Sequence, residues 1–213
     1  MTTRPTPAGL PRASGDRRTL AVVTAGLREP STTRLLADRL AVATTAALET
    51  KGVAADVVVV EVREHAHAMT NMLLTGFAEP ALRAALDAVA EADGLIAVTP
   101  VFSGAYSGLF KTFFDLTEDG ALRGIPTLLG ATAGTPRHSL AIEHSARPLM
   151  AYLGALTVPT AVFGATADFG TASDLAARVD RAAEELADLV VSRAKRQRVD
   201  PLALAETMAD LLR

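Results

Sequence analysis

Thr19-Leu20-Ala21-Val22-Val23-Thr24-Ala25-Gly26-Leu27-Arg28-Glu29-Pro30-Ser31-Thr32-Thr33-Arg34-Leu35-Leu36 opens the regular part of the chain. A short apolar run, Thr19 to Ala25, reads as a strand and gives way to a polar turn. From Ser31 to Thr50 the apolar residues Leu36, Leu40, Ala43 and Ala47 recur at helical spacing. Gly52 ends that helix. The unit is therefore strand, loop, helix. Its loop places three adjacent hydroxyls, Ser31, Thr32 and Thr33, at a helix start, where free backbone N–H groups and the helix dipole favour an anion. Hydroxyls and an arginine complete a phosphate cradle. The Gly-Lys signature of a P-loop is missing, and so are two of the three glycines of a dinucleotide fingerprint. A single terminal phosphate, as in FMN, suits the loop better than a pyrophosphate. Ser31 also reads as an ordinary N-cap, a common feature that accounts for the loop without a ligand.

The same alternation continues downstream. Val53 to Val62 is a valine-rich strand, and Leu82, Leu86 and Val89 mark a helix. Gly94 to Thr99 is the third strand, Ser107 to Leu116 a helix, and Pro126 to Ala131 the fourth strand. His138 to Leu153 reads as a helix, Leu156 to Phe163 as the fifth strand, and Leu175 through Leu189 as a long closing helix. Five apolar strands separated by helices imply an α/β fold, a parallel sheet covered on both faces. Ligands of such sheets sit beyond the carboxyl ends of the strands, where strand order reverses. The loops after the first, third and fourth strands are the place for a site.

Composition narrows the classes. The 213 residues fit one domain with a full core, and 49% of them are hydrophobic. No apolar run is long enough to span a bilayer, and Met1 to Arg18 lacks the apolar segment of a signal peptide. Cysteine is absent, which excludes disulfides, thiolate metal sites and cysteine nucleophiles and fits a reducing cytoplasm. A net charge of -3 and 4% aromatics argue against a nucleic-acid partner. Residues 1–18, with Arg4, Arg12, Arg17 and Arg18 among prolines, read as a disordered basic tail. Residues 19–195 read as the folded domain and 196–213 as a C-terminal helical extension. Arg193, Lys195, Arg196 and Arg198 suit the end of the closing helix. His65 and His67 share one face of an extended segment, but two ligands without a third make a weak metal site.

The loop after the third strand is Thr99-Pro100-Val101-Phe102-Ser103-Gly104-Ala105-Tyr106-Ser107-Gly108-Leu109-Phe110-Lys111. Gly104 and Gly108 let backbone approach a flat ligand, and Phe102 and Tyr106 can flank it. A turn capped by Ser107, with the aromatics in the core, accounts for the same residues.

Together these loops resemble the flavodoxin-like NAD(P)H-dependent FMN reductases. That family's phosphate loop has the form Gly-Ser-x-Arg-x-x-Ser-x-Thr/Asn, on which Gly26, Leu27, Arg28, Ser31, Thr33 and Arg34 fall, with Ala25-Gly26 where Gly-Ser is usual. Its second motif, Pro-x-Tyr-Asn-x-Ser-x-Pro-Gly-x-Leu-Lys-Asn, is met or nearly met by Pro100, Phe102, Ser103, Gly104, Tyr106, Gly108 and Lys111. Phe102 replaces the common tyrosine and Ser103 the asparagine. The likeness runs from Thr19 to Arg193, and Ala25-Gly26-Leu27, Pro30 to Ala37 and Val98 to Phe102 look most like reductases serving luciferase-like flavin monooxygenases.

The resemblance implies a five-stranded parallel sheet of order 2-1-3-4-5 with helices on both faces. It implies FMN, reduced by NADH or NADPH, held by Gly26, Arg28, Ser31 and Thr33 at the phosphate and by Pro100, Val101, Phe102, Ser103, Gly104, Ala105 and Tyr106 beside the ring. Thr132, Ala133 and Gly134, after the fourth strand, would hold the pyrimidine side through backbone N–H groups. Hydride transfer then needs stacking and stabilisation of charge near N1, with no catalytic side chain and no metal. An arginine near the ribose would favour NADPH, with Arg28, Arg123 and Arg137 as candidates. Reduced flavin would supply a two-component monooxygenase; a quinone or azo reductase with bound FMN and a flavodoxin-like electron carrier are the alternatives. A homodimer or homotetramer is expected, with Met69, Met72, Leu73, Leu74 and Phe77 as a candidate contact or else as local core.

Overall fold

The computed structural model describes residues 16–170 and 174–196. Strand β1 (Arg17–Thr24) leads through the Gly26 loop into helix α1 (Thr32–Thr50), and β2 (Ala54–Glu61) follows. A 3-10 turn (Val62–His65) runs into α2 (Ala66–Thr75), then α3 (Pro80–Ala90). Next come β3 (Gly94–Phe102), β4 (Ala105–Tyr106), α4 (Gly108–Asp115) and β5 (Pro126–Ala133). A 3-10 turn (Pro136–His138) and a π-helical turn (Ile142–Ala146) precede α5 (Arg147–Tyr152). Strands β6 (Leu156–Thr157) and β7 (Val162–Ala165) and helix α6 (Leu175–Ser192) close the described chain.

The sheet has seven strands, with β2-β1-β3-β5-β6 as its path. The doubly wound, flavodoxin-like architecture is as expected, but the strand count is not. The single fifth strand expected over Leu156 to Phe163 is two short ones on the same edge of β5: β6 pairs with Pro126 and Thr127, and β7 with Gly130 to Ala133. Pro159 lies in the gap and has no N–H to give to a ladder. The gap is pinned from both faces. Arg147 donates to the carbonyls of Val158 and Pro159 at 2.8 and 3.0 Å, and Glu185 of α6 accepts from the backbone N–H of Thr160 at 2.7 Å. The seventh strand, β4, is the return arm of a hairpin with β3, pairing Val101 with Tyr106 and Phe102 with Ala105.

Side-chain alternation divides the core. Leu20, Val22, Ile96, Val98 and Leu128 face α1 and α6, against Leu36, Leu40, Leu186 and Val190. Ala21, Val23, Leu95, Ala97 and Leu129 face the opposite layer, with Leu82, Leu86, Phe110, Phe114, Ile142 and Met150. Three further expectations change. β1 begins at Arg17, so Arg17 and Arg18 belong to the sheet and not to a tail, and Arg18 is buried against Asp16 and Asp93. The helix expected over His138 to Leu153 is broken into the 3-10, π and α segments. His65 and His67 lie in a 3-10 turn and a helix, not on an extended face. Residues 1–15 of the expected tail, and all of the expected C-terminal extension except Arg196, lie outside the described residues. Among the described residues no helix is long and apolar enough to cross a membrane.

Candidate active site

Parallel pairing brings the ends of β1, β3 and β5 to one edge. Thr24 stands opposite Val98, the amide of Ala25 donates to the Val98 carbonyl at 3.0 Å, and Pro100 stands opposite Thr132. The loops 25–31, 100–106 and 132–138 are therefore neighbours along the carboxyl edge.

In the first loop Ser31 is the N-cap of α1, its hydroxyl accepting from the backbone N–H of Arg34 at 3.2 Å. Gly26 packs directly beneath it: a Cβ there would stand 2.0 Å from Ser31 Oγ. Thr33 is buried, and its hydroxyl meets that of Thr132 at 2.7 Å. This bond ties the first turn of α1 to the end of β5, two places the sequence connects only by prediction of a common ligand. Thr24 Oγ1, just before the loop, is buried with no hydrogen-bond partner among the described residues. A cradle that excludes a methyl group, together with an orphaned hydroxyl at its base, fits a small polar ligand at this helix start.

Arg34 does not complete that cradle. Its guanidinium binds Asp38 at 2.8 Å and also Glu61 at the end of β2. Arg63 binds the same Glu61 at 3.0 Å and reaches Glu29 in the loop. The hydrogen bond to Asp38, with Glu61 behind it, raises the pKa of Arg34, and Glu29 followed by Glu61 does the same for Arg63. Arg28 is exposed and, among the described residues, has no ion-pair partner. The sequence reading missed Glu61, Arg63 and the engagement of Arg34. The available signal was a carboxylate closing the run of valines 57–60, since a sheet edge brings such a residue beside the neighbouring loop.

The second loop is a tight hairpin. Ser103 and Gly104 form its two-residue tip with φ of 50° and 84°, the left-handed backbone that such turns require. Gly104 thus serves the turn. Thr99 Oγ1 accepts from the backbone N–H of Ser107 at 3.0 Å, and Ser107 caps α4. Tyr106 packs on Phe110 with ring centroids 5.8 Å apart, which draws it toward the core, whereas Phe102 is exposed at the rim. Pro100, Val101 and Ala105 are half-buried.

In the third loop Thr132 is buried, Ala133 half-buried and Gly134 exposed. A Cβ on Gly108 or Gly134 would meet no atom within 4 Å, so space lies open beside both. Arg137 and His138 follow, exposed on the same edge. Arg123 precedes β5 and its carbonyl accepts from Arg196, which places it at the amino edge, away from these loops. It is removed as a nicotinamide contact. No group of acidic or histidine side chains able to hold a metal occurs among the described residues.

Residues 18–170 match the model of the family described as NADPH-dependent FMN reductase. The chain belongs to that family. Flavin and nicotinamide chemistry, expected from the loops, comes with membership, and the chain is an oxidoreductase of the FMN and NAD(P)H class. An FMN reductase (NADPH) of Pseudomonas aeruginosa is 38% identical over 141 residues, covering 64% of this chain and 76% of its own. The NADH-dependent FMN reductase SfnF of Pseudomonas putida is 37% identical over 150 residues, 70% of this chain and 78% of its own. A solved oxidoreductase from Corynebacterium diphtheriae superposes with a TM-score of 0.81 at 43% identity, covering 84% of this chain and 99% of that one.

Proposed function

We propose that this FMN reductase binds FMN across the three loops, reduces it with NADH or NADPH, and releases it to a separate flavin-dependent monooxygenase. The observation that carries the reading is the Thr33–Thr132 bond. It brings the helix start proposed to hold the phosphate against the strand end proposed to border the ring, which supports one ligand reaching both. Gly26, Ser31, Thr33 and the exposed Arg28 hold the phosphate. Pro100, Val101, Phe102, Ser103, Gly104, Ala105 and Tyr106 line the ring on one side, and Thr132, Ala133 and Gly134 on the other. When bound, FMN would supply the chemistry, as the acceptor of hydride from the nicotinamide. The chain supplies orientation: peptide N–H dipoles of Thr132 to Gly134 would stabilise negative charge near N1 without a titrating side chain. Open space beside Gly108 and Gly134 admits the second substrate.

The described residues form one sheet with its two covering layers. Within them no second domain holds an organic substrate beside the flavin, which favours passing reduced flavin onward. Leu73 and Leu74 of α2, and Phe77 just after it, are exposed and are the proposed contact of a homodimer or homotetramer; Met69 is buried in the core and Met72 packs against it.

Under anaerobic conditions, NADH or NADPH oxidation should depend on added FMN and saturate with it. Ser31→Ala combined with Thr33→Val should weaken FMN binding by at least about tenfold, the equivalent of one or two lost hydrogen bonds. Unchanged affinity rejects the placement. Quinone reduced far faster than free FMN, with flavin never leaving, rejects release in favour of a quinone reductase.

A further inference from the structure

Arg34 and Arg63 stand beside the phosphate loop, yet both are bound by carboxylates. Arg34 begins in the first turn of α1, where its own N–H donates to the cap Ser31. Arg63 reaches Glu29, the neighbour of Arg28. Glu61 accepts from both guanidiniums, and its register partner is Thr24, the last residue of β1 before the loop. Glu29, Arg63, Glu61, Arg34 and Asp38 thus form a continuous chain of alternating sign, and its five charges sum to one negative. A dianionic phosphate arriving at Ser31 meets Arg28 and the helix start, but not the two further cations within the same loop system.

We propose that Glu61 is an affinity-setting residue that keeps FMN exchangeable: by holding Arg34 and Arg63 away from the phosphate, it makes the flavin a substrate that leaves, and not a resident group. The inference rests on the reductase reading above and deepens it. A carboxylate that never touches the flavin governs its release. Removing that one charge leaves Arg34 on Asp38 and Arg63 on Glu29, each with one carboxylate fewer to hold it, and turns the chain of five charges from one negative to neutral beside the cradle.

The test is equilibrium binding of FMN and of riboflavin to the apoprotein, followed by flavin fluorescence. Glu61→Gln removes the shared charge with little change of shape. It should tighten FMN about five- to tenfold at low salt, the scale of one unit charge acting on a dianion through solvent-exposed protein. It should leave riboflavin, which lacks the phosphate, unchanged. The FMN gap should narrow in high salt. Glu29→Gln, on the exposed loop, removes one of the two carboxylates on Arg63, leaves Arg34 untouched, and should give a smaller tightening in the same direction; it carries the test if Glu61→Gln does not fold. The purified Glu61→Gln protein should also retain more yellow flavin than wild type. FMN binding that is unchanged or weaker in the folded variants overturns the inference, as does an equal shift for FMN and riboflavin, which would mean a merely structural role. Wild-type protein that reduces FMN while the variants fail to tighten overturns this inference alone. Wild-type protein that binds no FMN overturns the reductase reading and this inference with it.

Discussion

A methyl group at Gly26 would stand 2.0 Å from Ser31 Oγ and 3.2 Å from Thr33 Cβ, so nothing but hydrogen fits between the loop and the helix it opens. Gly26→Ala should push Ser31 from its capping position, at a cost of about 1 kcal/mol in stability for the lost cap. FMN affinity should fall by about tenfold or more, because the side chains proposed to hold its phosphate are displaced with Ser31. Chemical denaturation and flavin titration check the two effects separately; a variant with wild-type affinity would show that the cradle is elsewhere. At this scale the sequence was informative about Ser31, Thr33, Gly104 and Thr132, since caps, turns and strand ends have local signatures. It was silent on the Thr33–Thr132 bond, whose partners are 99 positions apart, and on Glu61, whose meaning comes from two neighbours on other elements.

The elements were legible where periodicity was long and uninterrupted, as in α1, α6 and the central strands. They were misread where a local feature overrode the pattern. Pro159 split the fifth strand, and a π turn interrupted the helix expected after Pro136. α2 was not read as a helix because its apolar residues, Met69, Met72, Leu73 and Leu74, run together in a short segment that was read as a contact patch or local core; of them only Met69 is fully buried. The interruption between β6 and β7 is held by Arg147, which also binds Glu143 one turn earlier at 2.6 and 2.9 Å. The hydrogen bond from Arg147 holds the Glu143 carboxyl below its ordinary pKa. A depressed carboxylate contributes stability above its unfolded pKa and loses it as pH falls through the folded value. Wild type should therefore exceed Glu143→Gln in Tm at neutral pH. The gap should close as pH drops below the ordinary glutamate value of about 4.3. The pair is half-exposed, so a modest difference is expected; thermal melts from pH 7 to pH 3 measure it, and a pH-independent gap would remove the ion pair as its cause.

For the whole molecule, closure of the described fold depends on Asp93. Buried at the start of β3, it accepts from the backbone N–H groups of Thr19 and Arg196 at 2.8 and 2.9 Å, with Arg18 3.7 Å away. The first strand and the segment after α6 are thereby fastened to one carboxylate at the amino edge, opposite the loops. On the other layer Leu73, Leu74 and Phe77 are 57, 81 and 81% exposed, which is unusual for a monomer's surface. Leu74→Asp with Phe77→Asp should shift the protein from dimer or tetramer to monomer in analytical ultracentrifugation. Wild type sedimenting as a monomer at micromolar concentration would refute the proposed contact.

β2 is an edge strand, and its Val57, Val58 and Val59 are each about two-fifths exposed. An open row of β-branched residues on an edge that is unpaired among the described residues is a template that another copy can extend. Asp56 and Glu61 flank the row with charge, and the Arg17–Asp56 pair braces its outer end. The gatekeeping is thus electrostatic, so its strength depends on the solution around it. In concentrated, salt-rich storage the flanking charges are screened while the valines remain as adhesive as before, and turbidity on the shelf would start at this strand, far in cause from any loss of flavin chemistry.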